Sequence, residues 1–183
     1  KKQFLKCIEH VKKKEQLENP EAKKSVQIEW DKLHGKCWDL KDVRPWQQVA
    51  AEARNEGRNA HVGWATPICV QKHSENPLLA KYKGRVVYSG DRIRDAYGQN
   101  AIFAELQSAP ASMEAAKAAD AFGIAGGNVV ETADAVQAYI QADMQGMETW
   151  VRLPVDQWPV GKGWDNIKDP VVRLTKALYG HPL

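Results

Sequence analysis

Apolar residues recur every three or four positions in two early stretches, which predicts two amphipathic helices packed on a core. The first helix is predicted to begin at Asn19-Pro20, because a side-chain amide caps a helix start and proline suits its first turn. It should run to about His34, with Gly35 as a left-handed stop. The second is predicted to begin at Arg44-Pro45 and to end near Gly57. The residues expected to face the core are Ala22, Val26, Trp30 and Leu33, then Trp46, Val49, Ala50 and Ala53.

Residues 1–18 combine many lysines with a weaker helical spacing of apolar residues. One interpretation is a basic amphipathic helix that lies on phosphate or on an acidic partner. The other is a solvated helix with one weakly packed stripe, which is favoured because glutamates interrupt the basic run. The apolar positions are Phe4, Leu5, Ile8, Val11 and Leu17.

The period changes at His61, where the chain becomes rich in β-forming residues. Two such stretches, 61–71 and 85–89, are separated by a polar loop that contains a proline. This pattern predicts a hairpin with a long tip.

Residues 110–122 are rich in alanine and predict a helix that packs behind a sheet, with Ser112 as its cap. The glycines that follow match no phosphate-binding pattern, so they predict a helix stop and a turn. A short β-branched strand, Val129 to Thr132, is then expected to lead to Asp134. The helix residues expected to face the core are Met113, Ala116 and Phe122.

Composition is that of a globular chain of 183 residues, enough for one sizeable core or two small lobes. The net charge of +3 is mild and argues only weakly for nucleic acid. No run of eighteen apolar residues occurs, so no membrane span is predicted. Cys7, Cys37 and Cys69 lack metal-ligand spacing, which indicates buried thiols in an intracellular reducing compartment and neither a disulfide framework nor a zinc site.

Asp134 is the strongest candidate for chemistry. A carboxylate at the end of a buried strand is costly unless it is paired or binds a cation, so Asp134 is a metal-ligand candidate. An aspartate at a strand-to-helix junction is also an ordinary helix cap, and the residue types leave both interpretations open.

Three blocks, in the same order, resemble the Ty1/copia-type retrotransposon reverse transcriptases. The first block is YKGRVVYSGDRIRD, which is similar to the family's Tyr-Lys-Ala-Arg-Leu-Val-x-x-Gly. The second is TADAVQAYIQADMQG followed by TWVRLP, which resembles Asp-Val…Ala-Phe-Leu-x-Gly and Tyr-x-x-x-Pro. The third is VVRLTKALYGHP, which resembles Leu-Lys-x-x-Leu-Tyr-Gly. The resemblance covers roughly Trp30 to Leu183.

The resemblance implies an α+β fold with reverse-transcriptase-like fingers and a partial palm, in which helices pack on a small, mainly antiparallel sheet. It divides the chain into a basic helical arm (1–28), a fingers-like region (29–107) and a partial palm (108–183) that carries the first catalytic motif. The partial palm is truncated before the family's paired-aspartate motif.

The resemblance also implies roles for residues of the second block. Asp134 would be a catalytic residue and a magnesium ligand, and the backbone carbonyl of Ala135 would join it. Tyr139 would bind the nucleotide by lying under the sugar, where it excludes a 2′-hydroxyl. The alternative for Tyr139 is a core aromatic on the inward face of a helix.

In the first block, Lys83 and Arg85 match the family's Lys-x-Arg and would clamp the incoming triphosphate. The chemistry is suitable, because a guanidinium binds phosphate oxygens in bidentate fashion while an ammonium adds a point charge. The alternative is that basic residues on a hairpin tip keep an exposed edge soluble. Gly84 replaces the family's usual alanine and is expected to loosen the strand locally.

Neither Tyr-x-Asp-Asp nor an equivalent occurs in these 183 residues. A two-metal site needs several carboxylates to hold cations about 4 Å apart, and one aspartate cannot do so. We therefore expect a fragment of an RNA-directed DNA polymerase that is inactive by itself, with template-primer, deoxynucleotide and Mg²⁺ as ligands only of the complete site. One alternative is a non-catalytic, retrotransposon-derived structural or accessory subunit held by protein partners. The other is a nucleic-acid-binding module.

Overall fold

The computed structural model describes residues 8–101, 111–133 and 137–182, and the long strand β3 (Ala60–Lys72) organises its sheet. The first half of β3 pairs in parallel with β6 (Glu148–Arg152) and antiparallel with β5 (Arg94–Asp95). Its second half pairs antiparallel with β4 (Lys81–Tyr88) and with β1 (Ile8–His10). Beyond β6 the sheet continues through β7 (Pro170–Arg173) to β2 (Val43–Pro45).

Across the described ranges these strands form one seven-stranded sheet in which β3 and β6 are the parallel pair. Five α-helices accompany it there: α1 (Lys13–Glu18), α2 (Pro20–Leu33), α3 (Trp46–Asn55), α4 (Met113–Ile124) and α5 (Ala138–Gln141). The mixed α+β class with a mostly antiparallel sheet is therefore confirmed. None of these helices is long and apolar enough to span a bilayer.

The two early helices are confirmed. Asn19 Oδ1 accepts hydrogen bonds from the backbone N–H groups of Glu21 and Ala22, so its amide caps α2 as the sequence predicts. Gly35 follows the helix with φ +75°, the left-handed conformation expected of a glycine stop. Helix α2 runs without interruption through the boundary expected at residue 28.

The core has two parts, one on each face of the sheet. Successive strand residues point to opposite faces, so Trp150 faces α3 while Val151 faces α2. On the α2 side, the main cluster includes Trp30, Leu33, Trp38, Tyr88, Val151, Trp164, Val172 and Leu178. On the α3 side it includes Trp46, Val49, Ala50, Ala53, Val62, Trp150 and Val171.

The helix expected through residues 1–18 forms only in part. Residues 13–18 are helical, but Ile8–His10 is a strand whose partner is the end of β3. Val11 is buried and its N–H donates to Cys69 O at 3.0 Å. Residues 1–7 lie outside the described residues. Helical spacing was misleading here because pairing with an available sheet edge outweighed a weak local preference.

Residues 111–133 contradict a second expectation. Ser112 Oγ accepts from Ala115 N–H and caps α4 as expected, and Gly126 and Gly127 form the turn with positive φ. Helix α4, however, buries none of its residues: Met113 is 68% and Phe122 75% exposed. Ala116 is likewise exposed. The expected packing of α4 against a sheet is therefore wrong.

The strand expected over Val129 to Thr132 is also wrong. Within the part of the chain that the structure describes, these residues pair with no strand, and they are exposed, Val129 by 82%. Alternating β-branched residues favour an extended backbone, but a strand also needs a neighbour to accept its hydrogen bonds.

Gly84 is the point at which β4 packs against the backbone of α2, and not a point at which the strand is loosened. A Cβ on Gly84 would lie 2.5 Å from Ser25 O and 2.6 Å from Val26 Cα, both backbone atoms of α2. The glycine therefore lets the helix pack directly on the strand. The expectation that Gly84 weakens the strand is replaced by a role in helix–strand packing.

The described thiols match the expectation of buried, unpaired cysteines. Cys37 and Cys69 are both free and buried, and Cys7 lies outside the described residues. Burial raises the pKa of the Cys37 thiol to about 11.

Candidate functional site

A cavity of about 370 Å³ lies where α2, β4, the segment around α5 and the end of the described chain meet. Its volume falls in the range of ~300–1,000 Å³ typical of small-molecule sites. Both basic residues singled out by the sequence, Lys83 and Arg85, line it. The other lining residues are Glu29, Lys32, Leu33, Val86, Gln137, Ile140, Leu178 and Tyr179.

Strand β4 positions the two basic residues. Lys83 pairs with Val70 and Arg85 with Ile68 in the antiparallel ladder, so both lie within the strand. The turn of the hairpin spans residues 73–80, and the interpretation of Lys83 and Arg85 as tip residues is therefore wrong. Gly84 between them packs against α2, and Glu29, Lys32 and Leu33 of that helix line the same cavity.

Two tyrosines connect Arg85 to the second sequence block. The Arg85 Cζ atom lies 5.1 Å from the ring centroid of Tyr179, within the range of a cation–π contact. The Tyr179 ring lies 4.3 Å from that of Tyr139, at an interplanar angle of 46°. Tyr139 is 52% exposed, so the alternative of a buried core aromatic is wrong.

The backbone fixes Tyr179 against the end of β4. The N–H of Tyr88 donates to Tyr179 O at 2.6 Å. Gly180, with φ +82°, follows, and a Cβ there would collide with Tyr88 O, so only glycine permits this close approach. Burial raises the pKa of the Tyr88 phenol, whose hydroxyl donates to Trp150 O at 3.3 Å.

The segment that carries Tyr139 is tied to the segment that carries Tyr179. Met144 N–H donates to Thr175 O, and Ala177 N–H donates to Ala142 O, both at 2.9 Å. The Lys176 ammonium lies 2.6 Å from Asp143 Oδ1. These contacts hold residues 142–144 beside residues 175–177 and bring the two tyrosine rings together.

The charges of the cavity are predominantly positive. Lys83, Arg85 and Lys32 line it together with the carboxylate of Glu29. Lys32 and Glu29 pair at 2.7 Å across one turn of α2, so the described lining has three cationic side chains and one carboxylate. Such a cavity favours an anion, and Tyr179 in its lining offers an aromatic surface to a ring or a sugar.

Asp134 and Ala135, the expected catalytic and metal-binding residues, lie outside the described residues. The chain re-enters the described part at Gln137, which lines the cavity and has φ +54°. The described residues contain no group of three or more histidines, cysteines or carboxylates that would hold a metal. The magnesium expectation therefore depends on the sequence resemblance alone.

Sequence reasoning missed Tyr179 as a site residue. It belongs to the LYG block that supports the family resemblance, yet no charge or spacing distinguishes it from a core tyrosine. Its position became evident only from its contacts with Arg85 and Tyr139. A tyrosine next to a glycine is a usable signal in the sequence, because glycine permits a close backbone approach that other residues do not.

Comparisons with known proteins give no match for this chain. No protein-family model, curated protein or solved structure is significantly similar to it.

Proposed function

We propose that this chain is the nucleotide-binding portion of a copia-type retrotransposon reverse transcriptase, comprising its fingers and the first part of its palm. The observation that carries the proposal is that Lys83 and Arg85 line one cavity together with Tyr179, whose ring lies 4.3 Å from that of Tyr139. Lys83 and Arg85 belong to the first motif, and Tyr139 belongs to the second and lies more than fifty positions further along the chain. Tyr179, from the third motif, contacts both Arg85 and Tyr139.

The chemistry of the cavity suits a deoxynucleoside triphosphate. The Arg85 guanidinium and the Lys83 ammonium would bind phosphate oxygens, one through paired donors and one as a point charge. The Arg85–Tyr179 contact would hold the guanidinium in one orientation before the nucleotide arrives. Tyr139 would contact the sugar and discriminate against a 2′-hydroxyl by its bulk.

Magnesium, when bound at Asp134 and the Ala135 carbonyl, would neutralise triphosphate charge. On this proposal residues 1–183 bind a nucleotide but do not extend a primer by themselves, because the two-metal reaction needs the carboxylates of a paired-aspartate motif, which does not occur in these residues.

Nucleotide titration of the full chain tests the proposal. Fluorescent mant-dTTP with Mg²⁺ should bind saturably, and Arg85→Ala should weaken binding about tenfold or more, as expected for loss of a charge-assisted phosphate contact. Lys81→Ala is the matched control, since Lys81 is an exposed cation of the same strand that does not line the cavity.

The variant Tyr139→Val tests discrimination between ribo- and deoxyribonucleotides, which a residue with a purely structural role would not affect. It should raise the affinity for UTP relative to dTTP, each measured by displacement of bound mant-dTTP, while the affinity for dTTP changes less. If wild-type chain binds neither nucleotide at low salt, the nucleotide-binding proposal fails and the non-catalytic accessory subunit becomes the better account.

A further inference from the structure

A second cavity, of about 480 Å³, forms an apolar groove between the helical hairpin α1–α2 and the sheet. Among the described residues, none lines both this groove and the cavity beside β4. The apolar residues of its lining are Leu17, Val26, Trp30, Pro67 and Pro154. Leu17 is 63% exposed, so one wall of the groove offers a large aliphatic side chain directly to solvent.

The groove lies beside a gap in the sheet. One edge of β3 pairs with β6 through residues 60–64 and with β1 through residues 70–72. Between these two ladders, residues 65–68 have no strand partner on that edge within the described ranges. Pro67 occupies this gap and has no N–H to donate, so a partner cannot add there as a regular strand. A partner must instead dock through its side chains.

The polar rim of the groove has excess positive charge. Lys13 and Lys23 line it, and neither forms an ion pair with any described residue. The carboxylate in the lining is Asp156, which accepts a hydrogen bond from Gln157 Nε2 at 3.3 Å. The rim therefore complements an anionic partner.

The walls disfavour single-stranded nucleic acid as that partner. Bases bind such grooves by stacking on aromatic faces. The aromatic residue here, Trp30, is only 1% exposed and presents no open face. The other apolar walls are aliphatic or proline, which pack well against aliphatic and aromatic side chains of a peptide.

We propose that this groove is a docking site for a short acidic peptide segment of a partner protein, one that carries bulky apolar side chains next to carboxylates. The apolar side chains pack between Leu17 and Pro67, and the carboxylates pair with Lys13 and Lys23. This interaction is separate from nucleotide binding and does not depend on it.

The probe is a fluorescein-labelled peptide, Glu-Asp-Ile-Leu-Glu-Phe-Leu-Asp, titrated with the full chain and followed by fluorescence anisotropy. Saturable binding is expected, and Leu17→Glu should weaken it about tenfold. Lys13→Glu combined with Lys23→Glu should weaken it by at least as much. The charge-matched control is Lys162→Glu combined with Lys168→Glu, two exposed lysines outside the groove, which should retain wild-type affinity.

Two control peptides test the stated chemistry. Replacing each acidic residue of the probe by lysine, or each apolar residue by alanine, should abolish binding. The proposal is overturned if the probe does not bind at concentrations up to about 1 mM. It is also overturned if the lysine-substituted peptide binds equally well, or if the groove variants bind like wild type. Self-association that Leu17→Glu abolishes, without peptide binding, would assign the groove to a second copy of the chain and overturn it as well.

Discussion

Replacing Gly84 by alanine tests the contact between β4 and α2, two elements that line the cavity beside β4. Two effects of opposite sign compete. In a strand that has room for it, alanine should stabilise the fold by ~0.5–1 kcal/mol, because glycine loses more backbone entropy on folding. Here the added Cβ would lie 2.5 Å from Ser25 O and 2.6 Å from Val26 Cα.

Neither of those atoms can move by a side-chain rotation, because both belong to the backbone of α2. The helix must therefore shift as a unit, and overpacking of this kind costs ~1–3 kcal/mol. The net expectation is that Gly84→Ala lowers the free energy of unfolding by ~1–2 kcal/mol, which corresponds to a Tm lower by ~2–8 °C for a chain of this length. Since Arg85 and α2 line the same cavity, the variant should also bind mant-dTTP more weakly.

Urea unfolding followed by tryptophan fluorescence measures this change as a lower midpoint at an unchanged slope. Gly98→Ala is the control for backbone strain alone, because Gly98 has φ +81° and no atom within 4 Å of an added Cβ. Gly98→Ala should lower the free energy of unfolding by ~1–2 kcal/mol without affecting nucleotide binding. An equal or higher stability of Gly84→Ala would refute the close packing of α2 on β4.

Three further predictions concern a helix cap, a buried thiol and an ion pair. Asn19→Ala should lower the free energy of unfolding by ~1–2 kcal/mol in urea titrations, because it removes the cap of α2; Asn19→Asp keeps the accepting oxygen and should lose much less. Burial raises the pKa of Cys37 to about 11 from 9.0, so above pH 9 the unfolded chain releases this proton while the folded chain keeps it. The free energy of unfolding should therefore fall by ~1 kcal/mol between pH 8 and pH 10, and this fall should be smaller in Cys37→Ala. An identical pH dependence in the two proteins would contradict the raised pKa of Cys37. Arg152→Lys should lower the free energy of unfolding by ~1 kcal/mol, because lysine cannot form the paired hydrogen bonds of 2.6 and 2.7 Å that Arg152 donates to Asp169. A variant that unfolds at the wild-type urea midpoint would contradict this prediction.

Local signals in the sequence were sufficient where a feature depends on neighbours in the chain. The cap at Asn19, the stop at Gly35 and the hairpin of β3 and β4 follow from residue types within a few positions. The turn at Gly126 and Gly127 belongs to the same class. Such features require no knowledge of tertiary contacts.

Features that depend on distant partners were not predictable in this way. Ile8–His10 becomes a strand because β3 offers an edge to it, and Val129 remains exposed because no strand pairs with it. The role of Gly84 in helix packing depends on the contact between α2 and β4, which the sequence does not show. In each case the deciding contact comes from a residue that is remote in sequence.

The candidate site shows the same difference between features that local sequence indicates and features that depend on distant contacts. The motifs supplied Lys83, Arg85 and Tyr139, whereas the stacking of Arg85 on Tyr179 required the fold. The left-handed backbone of Gly180 is what allows Tyr179 to lie against Tyr88, and the sequence shows only that a glycine is present.

Photolabelling with 8-azido-dATP in the presence of Mg²⁺ tests the central claim, that the cavity beside β4 binds a nucleotide. Mass spectrometry of the digested chain identifies which peptides are labelled. The label is expected on peptides that contain Tyr139 or Tyr179, and it should disappear with excess dTTP and be reduced in Arg85→Ala. Label confined to peptides that do not line the cavity, or no label that dTTP displaces, would contradict the account.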